Sequence, residues 1–223
     1  MNSGSTVRTS ATSSVERCLV EIRKMILNGD LLPGEKVHQA DLAEQLDVSR
    51  IPLREALSTL QAEGVLTHRR NSGYQVERFN SGDLKELYLM RRALENELLR
   101  TATLSPVVAD SMQSLNEELS KVDRNEEQQR YQSVNQAFHF VLFETSPLRL
   151  VREEVSRLWY RSSFYRSLLI HQGDAAERIF EDHDRMIAAA RDGDIDMLIE
   201  ISDEHRQNTE LRLTKRLGGT PLH

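Results

Sequence analysis

The stretch Asp41-Leu-Ala-Glu-Gln-Leu-Asp-Val-Ser-Arg-Ile-Pro-Leu-Arg-Glu-Ala-Leu57 predicts a helix-turn-helix. Leu42 and Leu46 lie on one face of the first short helix, one turn apart. Ser49 is placed to cap the second helix, because its hydroxyl can accept from a free backbone N–H, and Pro52 fits the opening turn. The second helix is expected to turn an apolar stripe inward, made of Leu53, Ala56, Leu57 and Leu60.

The outer side of the second helix carries two arginines near its N-terminal end, Arg50 and Arg54. A helix that presents guanidinium groups from this end is built like a recognition helix for the DNA major groove. After a further predicted helix at Val15–Leu27, Val65–His68 and Tyr74–Glu77 are typical of two short strands around a basic tip, which makes a wing. The residues expected to contact DNA are Ser49, Arg50, Pro52, Arg54, Arg69, Arg70, Asn71 and Gly73.

This region resembles the GntR family of bacterial winged-helix transcription regulators. Several fixed spacings agree across the whole region, rather than in one short motif. A winged helix that serves only as a protein-interaction module is the alternative, and such modules usually lack outward arginines at the groove-entering end. The segments that carry the resemblance are Ile26-Leu-Asn-Gly-Asp-Leu-Leu-Pro-Gly34, Asp41-Leu-Ala43, Val48-Ser-Arg-Ile-Pro-Leu-Arg-Glu-Ala-Leu57, and Glu63-Gly-Val-Leu66 with Gly73.

Length and composition favour a two-domain cytoplasmic protein. A chain of 223 residues fits two modest domains, and no apolar run approaches the roughly 20 residues needed to cross a bilayer. The Ser/Thr-rich segment 1–13 has no apolar core and is expected to be a disordered tail, not a signal peptide. The single cysteine, Cys18, cannot form an internal disulfide, which favours a reducing compartment. The DNA-binding domain is predicted over residues 14–78.

The net charge of −6 is unusual for a DNA-binding protein, but it is unevenly distributed. Residues 1–78 hold ten basic and ten acidic side chains, whereas residues 79–223 hold nineteen basic and twenty-five acidic ones. DNA affinity is therefore expected from the local arginine cluster, and from a dimer that presents this cluster twice. The weak non-specific binding that follows favours a sequence-selective regulator over an architectural protein.

From Asn80 onward the chain becomes a series of amphipathic segments with few strand signals. The fold class predicted for the whole chain is mainly α, with an antiparallel all-α helical bundle over residues 79–217 and a short tail at 218–223. G-x-G-x-x-G, G-x-x-x-x-G-K-[ST] and C-x-x-C are all absent from the sequence, so a nucleotide-binding sheet is not expected. The predicted helices lie near 81–104, 106–123, 127–145, 148–170, 174–192 and 194–217.

His139, His183 and His205 each lie on the apolar stripe of a different predicted helix. Core packing explains any one of them, but three inward imidazoles can meet inside one bundle. Neutral imidazole is the commonest metal ligand, since a ring nitrogen donates a lone pair without carrying a charge. Asn135 lies one turn before His139 and adds a fourth donor, so these four residues are a candidate metal site.

The helical part looks like the FCD-type ligand-sensing domain of the FadR-like branch of the GntR family. The resemblance implies a divalent metal of the zinc, nickel or manganese class, held by one Asp and three His, which helps to bind a small carboxylate. Asn135 stands where the family usually has Asp, and its neutral carbonyl is a poorer ligand that leaves the site more dependent on an anion. The matching segments are Asp83-Leu-Lys-Glu-Leu-Tyr-Leu-Met-Arg-Arg-Ala-Leu-Glu95, Asn135-Gln-Ala-Phe-His139, Glu181-Asp-His183 with Gly193-Asp194, and Glu204-His205.

Arg91 falls on the inward stripe of its predicted helix, between Leu87 and Leu94. A buried guanidinium needs an acceptor, because an unpaired buried charge is costly. That acceptor is either an effector carboxylate or an internal partner such as Glu95, and the sequence leaves both open. The candidates for effector binding are Arg91, Arg161, Tyr165 and Arg166.

These patterns predict a metabolite-responsive transcription regulator, and not an enzyme. It is expected to repress as a homodimer on double-stranded operator DNA with two inverted half-sites, and to respond to a small organic acid. One rival is a metal-dependent, hydrolase-like enzyme in which the same histidines activate water, although no H-E-x-x-H motif is present. Another is a helical adaptor whose histidines only pack.

Overall fold

A computed structural model of the chain describes residues 5–70, 72–124, 126–167 and 173–218. The chain divides into two compact units, Met1–Arg78 and Phe79–His223. The first unit contains α1 (Ser5–Asn28), α2 (Gln39–Gln45), α3 (Arg50–Ala62), β1 (Leu66–Arg69) and β2 (Gly73–Val76). The second unit contains α4 (Ser81–Arg100), α5 (Pro106–Lys121), α6 (Gln128–Glu144), α7 (Arg149–Ser167), α8 (Gly173–Asp192) and α9 (Ile195–Arg216).

The turn between α2 and α3 is built around Asp47, whose backbone is left-handed with a φ of 50°. Short polar side chains tolerate this conformation better than most, because they can bond to the local backbone. The amide of Val48 donates to the carbonyl of Ala43 at 3.0 Å and closes the turn. Ser49 holds the cap position of α3, but its side chain makes no capping hydrogen bond, so the cap predicted from its hydroxyl was wrong. The residue is exposed, and water can serve the hydroxyl instead.

The two strands form the predicted wing as an antiparallel hairpin. Leu66 pairs with Val76, and Arg69 pairs with Gly73 at the tip. Gly73 has a φ of 78°, which glycine adopts without a steric cost. The apolar stripe predicted for α3 is buried and packs in the first unit with side chains of α1 and β1. The fully buried side chains here are Cys18, Ile22, Leu53, Ala56, Leu57, Leu60 and Leu66.

The first helix differs from the prediction at its start. α1 begins at Ser5, so residues 5–13 are helical although the sequence assigned them to a disordered tail. Adding residues to an existing helix is much easier than starting one, and the packed part of α1 therefore extends over the Ser/Thr-rich segment. The predicted C-terminal tail lies outside the described residues from residue 219 onward.

The second unit begins with a capping box. The Asn80 side chain accepts from the amides of Gly82 and Asp83, while the Asp83 carboxylate accepts from the Asn80 amide at 2.8 Å. These bonds satisfy backbone N–H groups that the first turn of α4 leaves without helical partners. α4 therefore starts where the sequence predicts, but it ends at Arg100 instead of residue 104.

The six helices of the second unit form a bundle around an apolar core. α4 packs against α7 and α9, α5 packs against α6 and α8, and α8 packs against α9. The predicted fold class, a winged helix-turn-helix followed by an all-α bundle, is confirmed. None of the described helices is long and apolar enough to cross a membrane. The largest buried cluster includes Leu98, Ala109, Met112, Phe138, Val155, Met186, Ala190 and Leu198.

Candidate metal centre and ligand cavity

The helical unit contains a cavity of about 100 Å³, lined by side chains from α4, α6, α7, α8 and α9. Leu99, Leu142 and Phe143 form part of its apolar wall. The rest of the wall is polar, which is unusual for the interior of a helical bundle. Polar groups are costly to bury unless they have hydrogen-bond partners. The charged and imidazole side chains that line it are Arg91, Glu95, Arg124, His139, Arg166, Arg178, Asp182, His205, Arg206 and Arg212.

His139, His183 and His205 meet as an almost equilateral triangle of rings. The distances between ring centroids are 5.2 Å for 139–183, 5.3 Å for 139–205 and 5.4 Å for 183–205. One ligand nitrogen from each ring lies within 4.8 Å of the others. Imidazoles bound to one tetrahedral ion at about 2.0–2.1 Å would have centroids about 5 Å apart, so this spacing suits a shared metal.

The side chain of Asn116 fixes which ring nitrogen of His183 carries the proton. Its Nδ1 lies 2.9 Å from the Asn116 side-chain oxygen, and the Asn116 amide nitrogen donates to Asp184 at 2.9 Å. Because the Asn116 oxygen can only accept, Nδ1 carries the proton and donates it. Nε2 is then left with its lone pair, and it is buried with no hydrogen-bond partner among the described residues.

His205 is oriented in the same way by a carboxylate. Its Nδ1 lies 3.0 Å from an oxygen of Asp182, a buried residue one position before His183. A carboxylate behind a ligating imidazole fixes the ring and raises the basicity of its other nitrogen. His139 Nε2, like that of His183, is buried without a partner among the residues described.

The surroundings keep two of these rings neutral. Burial is the main cause that holds the pKa of His139 well below its usual value of 6.5, and the neighbouring His183 and His205 add to the effect. Burial likewise lowers the pKa of His183, which stacks on Phe138 with ring centroids 3.8 Å apart. A neutral imidazole is the form that binds a metal. Asn135, the fourth predicted ligand, also lines the cavity.

Glu95 is the centre of the charged wall. Its two carboxylate oxygens accept from Arg91 Nε at 2.7 Å, Trp159 Nε1 at 2.8 Å and Arg206 Nε at 3.0 Å. Burial alone would raise the pKa of Glu95, but the two guanidinium groups outweigh it and hold the pKa below its ordinary value. Of the two partners left open for Arg91, the internal carboxylate is therefore present, while Arg91 still lines the cavity.

The residues predicted on α7 divide between two faces of that helix. Arg166 lines the cavity with Trp159, two turns away, and its guanidinium carbon lies 4.4 Å from the indole centroid. Arg161 and Tyr165 are not among the residues that line the cavity. Positions seven apart share a helix face, whereas Arg161 and Tyr165 fall on the opposite face.

The face of α7 that carries Arg161 and Tyr165 contacts Phe79, the first residue of the helical unit. The Tyr165 hydroxyl accepts from the Phe79 amide at 2.7 Å and lies 3.3 Å from the Phe79 carbonyl oxygen. The guanidinium carbon of Arg161 lies 5.1 Å from the centroid of the Phe79 ring. The sequence did not predict this contact or the roles of Asn116, Asp182 and Arg206. Asp182 and Arg206 each lie next to an inward histidine in the sequence, and that position was the available signal.

The predicted DNA-binding residues of the first unit lie mostly on its surface. Arg50 and Arg54 are exposed in the first turns of α3, beside an Ile51 side chain that is 72% exposed. Ser49, Arg69 and Arg70 are also exposed, whereas Pro52 and Gly73 are half-buried. Asn71 lies outside the described residues. The N-terminal end of α3 therefore exposes two arginines and one large apolar side chain to solvent.

Comparisons with known families match both units. The chain matches the family described as bacterial regulatory proteins, gntR family, over residues 15–76, and the FCD domain over residues 86–208. It is 28% identical over 171 residues to the HTH-type transcriptional regulator YdhC of Bacillus subtilis, which covers 74% of this chain and 75% of YdhC. LutR, an HTH-type transcriptional regulator of the same organism, is 27% identical over 192 residues, which covers 76% of this chain and 87% of LutR.

Solved structures share the whole fold. The structure of Escherichia coli McbR/YncC has a TM-score of 0.75 at 21% identity and covers 91% of this chain and 98% of that chain. A putative GntR transcriptional regulator from Rhodococcus sp. RHA1 has a TM-score of 0.74 at 19% identity, covering 94% and 100% respectively. At these identities the likeness shows a common fold.

Replacing the central carboxylate should destabilise the helical unit. We expect Glu95→Gln to lower the free energy of unfolding by about 3–5 kcal/mol, because buried Arg91 loses its counter-charge and Arg206 keeps only Asp203. Urea unfolding in a buffer without carboxylates or phosphate measures this. Glu97→Gln on the same helix is the matched control, since its ion pair with Arg100 is exposed and should contribute at most about 1 kcal/mol. Equal losses in both variants would contradict the role of Glu95.

Proposed function

Because this chain belongs to the gntR family of bacterial transcription regulators and carries an FCD domain, we propose that a small organic acid controls its binding to DNA. The acid binds in the cavity of the helical unit, together with a divalent metal ion. Members of this family are DNA-binding regulators and not enzymes, and this chain is a regulator of the same type. Residues 14–78 would read DNA, and residues 79–217 would bind the effector and form the dimer.

The observation that carries the proposal is the pair of buried Nε2 atoms at His139 and His183 that have no partner among the described residues, in a triangle completed by His205. A buried nitrogen lone pair without a partner costs free energy, and a metal ion removes that cost. Nitrogen donors favour zinc or nickel over manganese. The donor set therefore fits a transition metal, with Asn135 as the weak fourth ligand. When bound, such an ion supplies positive charge that attracts an acid oxygen.

The charge of the cavity supports an acidic effector. Six arginines line it, against the carboxylates of Glu95 and Asp182, and Glu95 is already shared between two of the arginines. A neutral or cationic metabolite would leave this excess of positive charge without compensation. Guanidinium groups bind carboxylates with directed, charge-assisted hydrogen bonds, so an organic acid is the class of ligand that fits.

The reading of DNA is proposed to rest on α3 and the wing. Arg50 and Arg54 would contact base edges in the major groove, and Arg69 and Arg70 would contact phosphate or the minor groove. One winged helix makes few base contacts, so a homodimer on two inverted half-sites about 10 base pairs apart, or a multiple, would supply the remaining specificity. Repression is the simplest outcome of such binding at an operator.

Helix α7 is a route by which the effector could act on DNA binding. One face of α7 lines the cavity through Trp159 and Arg166, and the opposite face holds the backbone of Phe79 through Tyr165. Phe79 is the first residue of the helical unit, where the chain arrives from the DNA-binding unit. A ligand that binds one position of α7 better than another would shift the population of the two states.

Loss of a recognition arginine should weaken specific binding. With an operator selected from random duplexes by the wild-type protein, we expect Arg54→Ala to cost about 1–3 kcal/mol and to relax the sequence preference. Arg70→Ala in the wing should weaken all sequences alike and reduce the salt dependence of binding, because it removes a phosphate contact. Titrations at several salt concentrations distinguish the two effects. Unchanged operator affinity in Arg54→Ala would show that α3 does not read the bases.

The substitutions Asn135→Asp and His183→Ala should change the affinity for the metal in opposite directions. We expect Asn135→Asp to bind zinc more tightly than the wild type, because an anionic oxygen joins three neutral nitrogens. His183→Ala should lose the metal and the response to acids while operator binding survives, since the DNA-reading residues belong to the other unit. Elemental analysis of dialysed, zinc-supplemented protein measures the metal.

The matched control for the metal is His68→Ala, which removes an exposed histidine of β1 outside the triangle. This variant should keep the metal content of the wild type. If His183→Ala also kept it, the three histidines would be core residues and the metal would bind elsewhere.

A further inference from the structure

We infer that the effector carries two acidic groups, and that Arg166 on α7 binds the second one and so determines specificity. This inference rests on the proposed function, in which one acidic group binds at the metal. It goes further by naming the number of charges on the ligand and the side chain that selects for them.

Arg166 makes no ion pair with any side chain that the structure describes. Its Nη1 donates to the Trp159 carbonyl oxygen at 3.0 Å and to the Ser162 hydroxyl, and no ion pair joins it to a carboxylate of the described residues. Burial, followed by the charge of the nearby Arg91, lowers the pKa of Arg166 to about 9. The guanidinium therefore remains protonated at neutral pH, and its charge is left for a molecule in the cavity it lines.

The other two inner arginines differ from Arg166 in this respect. Arg91 pairs with Glu95 at 2.7 Å, and Arg206 pairs with Glu95 at 3.0 Å and also with Asp203. Glu95 makes no hydrogen bond to Arg166 among the described residues, and its oxygens accept from both other arginines and from Trp159. Of these three cavity arginines, Arg166 is therefore the one that pairs with no described carboxylate.

Two like charges also share one aromatic ring. The guanidinium carbons of Arg91 and Arg166 lie 4.2 Å and 4.4 Å from the centroid of the Trp159 indole. The indole attracts each cation but cannot neutralise either charge. An anion at Arg166 relieves the repulsion between them, and a guanidinium binds an acid group with two parallel hydrogen bonds.

A metal ion in the proposed site would add positive charge that a bound anion could neutralise. Its ligands are three imidazoles and the neutral amide of Asn135, so the bound ion would keep its full charge except for what Asp182 offsets behind His205. A monoacid that binds at the metal leaves Arg166 uncompensated. A diacid neutralises both centres, which makes the second acidic group the feature that this cavity selects.

Calorimetric titration of the zinc-loaded full-length protein with matched acids tests the inference. The pairs differ only in the second acidic group: butyrate and succinate, valerate and glutarate, 2-hydroxybutyrate and malate, and glycolate and phosphoglycolate. We expect the diacid of at least one pair to bind about tenfold more tightly or better. In Arg166→Met that ratio should fall to near one, because the diacid loses far more affinity than the monoacid. The last pair distinguishes a phosphate from a carboxylate as the second group.

Two further variants make the result specific. Arg157→Met removes an exposed arginine of the same helix, which pairs with Glu154, and should keep the ratio of the wild type. Arg166→Lys keeps the charge but loses the paired hydrogen bonds, so it should reduce the ratio without abolishing it. It also decides the question if Arg166→Met does not fold.

The outcomes distinguish this inference from the proposed function. If monoacids bind as tightly as diacids, or if the preference survives in Arg166→Met, the inference is overturned and an acid effector remains. If no acid of either kind binds to the zinc-loaded protein, both are overturned.

Discussion

The carboxylate of Glu95 joins three helices of the bundle, because it accepts hydrogen bonds from Arg91 on α4, Trp159 on α7 and Arg206 on α9. Charges inside an apolar bundle are stable only when they are paired, and a hydrogen-bonded network of this kind makes the arrangement rigid. The geometry of the cavity wall follows from this constraint. The wall also keeps an excess of positive charge, because Glu95 pairs with Arg91 and Arg206 while Arg166 pairs with no described carboxylate.

In the histidine triangle, as around Glu95, buried polar side chains are held in place by hydrogen-bond partners. Asn116 and Asp182 accept the Nδ1 protons of His183 and His205, which orients each ring and leaves its other nitrogen available. Groups outside the triangle thus hold the rings in place, while the inner lone pairs of His139 and His183 have no partner among the described residues. A site that is ordered by its surroundings but unsatisfied at its centre is suited to bind something from solution.

Sequence patterns predicted most of the fold because its signals are local. Helical spacing identified the buried stripe of α3, and it placed His139, His183 and His205 on inward faces that the structure brings together. The pairing of Glu95 with Arg206 spans 111 positions and left no comparable local signal. For α7, spacing gives the angle between side chains but not which face meets the cavity. The sequence therefore grouped Arg161 and Tyr165 with Arg166, although of the three only Arg166 lines the cavity.

X-ray absorption spectroscopy of the zinc-loaded full-length protein tests most directly whether the histidine triangle binds a metal. The zinc spectrum should report three imidazole nitrogens at about 2.0–2.1 Å, with the outer-shell scattering that histidine rings produce. The same spectrum of His183→Ala should lose this pattern. A first shell made only of oxygen atoms in the wild type, as for an ion held by surface carboxylates and water, would contradict a metal at the centre of the bundle.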